Sequence, residues 1–140
     1  MLLFVLMTTM AAGSMVQMYQ TQTQREKEEQ LLFVGDQYRR AISSYYNTMP
    51  PGSARSLPPS LEALLSDHRF TTPVQHLRKS YEDPMTGGND WGVVTQSGGI
   101  AGVYSQSEKP SFKTTGFLPM YKSFEGKTAY TDWKFVVKLN

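Results

Sequence analysis

MLLFVLMTTMAAGSMVQMYQTQTQREKEEQLLFVGDQYRRAISSYYNTM, residues 1–49, is the stretch whose reading decides the fold. Its first 24 residues carry no charged side chain, and no proline interrupts it before Pro50. It reads as one long helix with two characters. At about 1.5 Å per residue, residues 2–19 would span roughly 27 Å, close to the thickness of a bilayer's hydrocarbon core. Leu2, Leu3, Phe4, Val5, Leu6, Met7, Ala11, Ala12, Gly13 and Val16 are the expected membrane or assembly face of this half. The Gly13-Ser14 pair and its small neighbours suit close helix–helix packing in lipid.

From Gln24 onward the residues are strong helix formers or helix-tolerant polar ones. The series Leu31, Gly35, Tyr38, Ile42, Tyr45, Met49 then follows a three-four spacing, which is one helical face. That stripe is expected to be the core against which a sheet packs, with Gly35 permitting a strand to approach closely. Asp36, Gln37, Arg39 and Arg40 fall off the stripe. Pro50-Pro51-Gly52 ends the helix, because proline cannot continue it and glycine frees the turn.

Beyond the helix the signals are local. Residues 58–65, PPSLEALL, predict a short helix with proline in its first turn. Residues 66–90 are rich in turn formers, with Leu77 and Tyr81 as expected anchors. Residues 91–96 and 100–105 predict two strands joined by Ser97-Gly98-Gly99, the best hairpin signal in the chain. Residues 107–131 read as a loop whose aromatics fold back on the sheet, and 132–138 as a final strand. Trp91, Tyr104, Trp133 and Phe135 fit strand and core roles. The expected class is therefore α+β: a long N-terminal helix packed on a small antiparallel sheet of about three strands. Residues 1–24 form its transmembrane or assembly half. Residues 25–140 form the globular domain: helix half 25–49, loop and short helix 50–90, sheet and loops 91–140.

Composition excludes several functions. Fourteen basic and twelve acidic residues give a net charge of +2, without the basic stripe of a nucleic-acid protein. The absence of cysteine removes disulfides and thiolate metal sites. Neither a dinucleotide fingerprint nor a P-loop occurs, and there is no G-x-S-x-G elbow or H-E-x-x-H pair. His68 and His76 lack a convincing set of further zinc ligands and read as surface or turn residues. Asp83, Asn89 and Asp90 offer oxygens to a calcium ion, but Asx-type turn hydrogen bonds explain them with less assumption. No catalytic residue, cofactor, metal or small-molecule substrate is expected.

Three blocks carry a family resemblance. They are Leu57-Pro58-Pro59-Ser60-Leu61-Glu62-Ala63-Leu64-Leu65, then residues 77–87 (LRKSYEDPMTG) with Asp90-Trp91-Gly92, and the helical segment from Gln24 to Ile42. In this layout they resemble the type IV pilin-like pseudopilins of bacterial type II secretion, in particular the major subunit. The resemblance implies a pilin-like fold and a structural subunit of a type II secretion or type IV pilus-type fibre. It also implies a single-pass anchor in the bacterial inner membrane, with the globular domain in the periplasm. Implied partners are other pseudopilin subunits, the inner-membrane assembly platform and inner-membrane lipid. Members usually carry a glutamate near the start of the mature helix, whereas the first acidic residue here is Glu26. Some hold calcium in a carboxylate-rich loop near the C terminus. The corresponding loop, 107–131, has only Glu108 and Glu125, so that site is not carried over. The competing expectation is a membrane-anchored periplasmic binding or accessory domain that never polymerises.

Overall fold

In the computed structural model, backbone is described for residues 2–139 and side chains for residues 18–139. The first element, α1 (Leu2–Asn47), is a single helix of 46 residues, about 69 Å long at the usual rise. The expected membrane or assembly face, Leu2 to Val16, lies outside the described side chains. Among the described residues no helix is long and apolar enough to cross a membrane.

The C-terminal half of α1 is the spine of the domain. Leu31, Val34, Gly35, Tyr38, Ala41, Ile42 and Tyr45 are buried along one face. This face is broader than a single three-four series, since Val34 and Ala41 lie beside it at the neighbouring helical positions. Met49 does not belong to it. The helix ends at Asn47, two residues short of Met49, which is only half-buried. The last turn carries no basic residue of its own. Arg69, from the following loop, caps it by donating to the Tyr45 and Thr48 carbonyls, both at 2.8 Å.

The second helix, α2 (Glu62–Leu65), is a single turn. Pro58 and Pro59 precede it rather than forming its first turn. The Pro58 carbonyl instead accepts the Ile100 N–H at 2.8 Å, which ties this loop to the sheet. Leu64 is buried, and its carbonyl accepts the amides of His76 and Leu77.

Three antiparallel strands follow in sheet order β1 (Gly92–Gln96), β2 (Gly99–Tyr104) and β3 (Phe135–Val136). The β1–β2 turn has two residues, Ser97 and Gly98, with φ of 51° and 78°. Positive φ at both central positions is the signature of a hairpin whose twist matches its strands. Gly99 therefore starts β2 rather than closing the turn. The register shifts between Val94 and Thr95, where a bulge leaves Ala101 opposite no partner in β1. β2 is the central strand and is buried along almost its whole length. β3 is shorter than residues 132–138 predict, because Tyr130–Asp132 form a 3₁₀ turn and Trp133 turns into the core.

An aromatic layer joins sheet, loop and helix. Phe124 stacks on Trp133 with planes 4° apart, and Phe135 meets Phe124 and Tyr121 edge-on. Tyr130 and Phe117 pack edge-on against Trp133. Such pairs contribute about 0.5–1.5 kcal/mol each beyond the area they bury. They hold a long irregular segment, 107–131, that has little regular hydrogen bonding.

Candidate functional site

Three polar clusters fasten the irregular loops to α1 at successive levels. The first is built on Glu28, which is 3% exposed. Its Oε1 accepts the Phe112 N–H at 2.8 Å and the Tyr130 hydroxyl at 3.0 Å, and its Oε2 accepts the Lys113 N–H at 3.0 Å. One turn earlier, the Gln24 amide donates to the Pro110 carbonyl and to the Tyr130 oxygen. Burial and the neighbouring Glu28 carboxylate, against the Gln24 hydrogen bond, leave the Tyr130 phenol pushed up to about 12. Glu28 thus replaces secondary structure for a segment that has little of its own.

The second cluster joins Asp36, Arg39, Arg40 and Tyr121. The Tyr121 hydroxyl donates to Asp36 Oδ1 and accepts from Arg39 Nε at 2.9 Å. Arg39 and Arg40 both pair with Asp36, at 3.0 and 2.8 Å. Burial works against the carboxylate, but the Tyr121 and Arg39 hydrogen bonds and the two guanidinium charges outweigh it and lower its pKa. Burial and the Asp36 acceptor raise that of Tyr121. Residues off the apolar stripe are therefore engaged with the 119–124 turn.

The third cluster corrects the reading of His76 as a surface or turn residue. Its side chain is 1% exposed and bridges α1 to the 66–80 loop. Asp67 Oδ2 lies 2.9 Å from Nε2, and the Ser44 hydroxyl lies 2.8 Å from Nδ1. A carboxylate only accepts, so Nε2 carries a proton. In the neutral ring, Nδ1 then accepts from Ser44. Arg69 pairs with Asp67 through both Nε and Nη2 and lies over the Tyr45 ring, 3.6 Å from its centroid. The Arg69 hydrogen bonds hold the Asp67 carboxyl well below the usual carboxylate range, against the cost of burial. His68, by contrast, is exposed.

The order Asp67–His76–Ser44 has the connectivity of a nucleophile relay. Two features make it a structural clamp instead. Arg69 already neutralises the carboxylate that would stabilise an imidazolium. Ser44 also sits within a helix, where backbone amides are committed to the helical ladder and cannot form an oxyanion hole. The grooves that run beside α1 and the sheet are lined by neither Ser44 nor His76.

The 83–90 turn is likewise committed. Asp83 is fully buried, with Oδ1 accepting the Met85 N–H at 2.9 Å and Oδ2 accepting the Ser105 hydroxyl at 2.6 Å. Asn89 and Asp90 are exposed, unlike Asp83. Among the described residues no group of three or more acidic or histidine side chains is placed to hold a metal.

What remains open is one side of α1. Two joined grooves follow it past Arg25, Leu32 and Lys113, and a third of about 390 Å³ lies between Leu32, Phe33, Phe117 and Leu118. Phe33, Phe112 and Leu118 expose about half their surface or more along this side. No family model, curated protein or solved structure shows a match to the chain.

Proposed function

We propose that the chain is a pseudopilin-like structural subunit, anchored in the bacterial inner membrane with its domain in the periplasm. It serves a type II secretion or type IV pilus-type fibre. One observation carries this reading: a single helix has an uncharged N-terminal half and a C-terminal half that forms the domain's core. A rigid stalk continuous with the domain is what a helix-cored fibre requires. Extraction from lipid would let neighbouring helices bury against one another, while the three polar clusters keep the domain fixed to its stalk. The partners would be other subunits of the same kind and the assembly platform in the inner membrane.

The absence of cysteine makes the test direct. Cysteines introduced at Ala11 and Val16 should crosslink neighbouring copies or related subunits in cells, and deletion should impair secretion or piliation. Normal export together with no crosslinks to self or to pilin-like subunits would overturn the proposal. The lack of an acidic residue before Glu26 favours the second reading, an anchored accessory domain that does not polymerise. That reading predicts membrane retention without crosslinks.

A further inference from the structure

We propose that the domain touches the membrane surface directly, through the tip of the 109–113 loop, with Phe112 seated in the headgroup layer. The inference rests on the membrane-anchor reading above and adds a second point of contact to it.

The position follows from the levels along α1. Residues 2–19 match the hydrocarbon thickness, and the headgroup layer adds roughly 5–7 Å on each side. That layer corresponds to about four further residues of helix, which places Gln24 and Arg25 at its outer edge. The 109–113 loop is fastened at this level by side chains of α1. Gln24 holds the Pro110 carbonyl at 3.0 Å, and Glu28 holds the Phe112 and Lys113 amides. Phe112 lines one groove of about 780 Å³ with Met18, Gln22 and Arg25, and a second with Glu29 and Leu32. Phe112 is 44% exposed, and Met18 and Tyr19 are 73% exposed at the same end of the domain. An exposed phenylalanine beside exposed Met and Tyr is well suited to a membrane interface, where aromatic side chains concentrate.

The partner is the bilayer interface itself rather than an anionic headgroup. Arg25, Lys27, Lys109 and Lys113 are balanced by Glu26, Glu28, Glu29 and Glu108. A zwitterionic membrane should therefore suffice, with little dependence on salt.

The test uses the full chain reconstituted in phosphatidylcholine vesicles, with single cysteines carrying a nitroxide. Labels replace Met7 in the stalk, Thr114 beside the tip and Ser97 in the distal hairpin turn. Accessibility to oxygen and to a water-soluble relaxation agent reports depth. The expected result is a bilayer depth for the Met7 label, an interfacial depth for the Thr114 label and full water exposure for the Ser97 label. Phe112→Ser should then make the Thr114 label several-fold more accessible to the water-soluble agent, with the circular dichroism unchanged. A Thr114 label as exposed as the Ser97 label, beside a buried Met7 label, overturns the loop contact and leaves the anchor standing. An interfacial Thr114 label that ignores Phe112→Ser also overturns it, since proximity would then need no insertion. A water-exposed Met7 label overturns both.

Discussion

Gly35 lies directly against the ring of Phe135, so closely that a β-carbon at position 35 would sit far inside van der Waals contact with the ring carbons. The ring has nowhere to move, because Tyr121 and Phe124 pack on it with centroids 5.4 and 5.1 Å away. Alanine would favour the helix by about 1 kcal/mol. Overpacking a filled core costs about 1–3 kcal/mol, and here the clash is severe. Gly35→Ala should therefore destabilise the domain despite its better helix propensity, lowering the urea midpoint with little change in slope. An unchanged or raised midpoint would show that strand and helix can separate freely.

Glu28 tests whether one carboxylate organises the 107–131 loop. In Glu28→Gln, an amide NH₂ faces one of two backbone donors, and a buried N–H loses its acceptor at a cost of about 1–3 kcal/mol. Amide exchange at Phe112 and Lys113 should accelerate, while exchange at Val103 in the central strand should follow only the change in global stability. Equal acceleration at all three amides would mean that the loop opens only with the whole domain.

Acid should act through Asp67. Its folded pKa is depressed, so its contribution is complete above the unfolded value of about 4 and is lost as pH falls from there through the depressed value. Wild-type stability should decline steeply below about pH 4. Asp67→Asn should be less stable at pH 7, by about 3 kcal/mol if the partly buried Arg69 guanidinium is left without its charge partner. It should also show a shallower decline on acidification. Parallel pH curves for the two proteins, followed by urea denaturation, would exclude Asp67 as a main acid-labile group.

Asp83 links the 83–90 turn to Ser105 at the end of β2. Both carboxylate oxygens have protein partners, so added calcium should not shift the unfolding midpoint. Asp83→Ala should cost about 1–3 kcal/mol by leaving the Met85 amide and Ser105 hydroxyl unpaired. A midpoint that rises with millimolar calcium in the wild type and not in the variant would establish a metal site at this turn.

The helix, its apolar face and the hairpin are the features legible in the sequence. Each rests on local pattern: a three-four spacing from Leu31 to Tyr45, and Ser97-Gly98 between two β-branched or small-residue runs. Boundaries were less legible. A long apolar spacing carried the stripe on to Met49, although the helix had already ended at Asn47 under the Arg69 cap. Pro58 and Pro59 suit a first helical turn, yet the sheet takes the Pro58 carbonyl instead. The burial of His76 had no local signal at all, because its partners Ser44 and Asp67 stand 32 and 9 residues away.

By itself the sequence determined the long helix, its change from an uncharged to an amphipathic half, and the presence of a small antiparallel sheet. Those follow from periodicity and turn chemistry, which neighbouring residues settle among themselves. Only the tertiary structure decided that Glu28, Asp36 and His76 fasten the loops to α1 in three tiers, and that Gly35 receives Phe135. Those choices depend on which distant backbone amides, hydroxyls and rings lack partners once the core closes. Such demands exist only after the chain has folded.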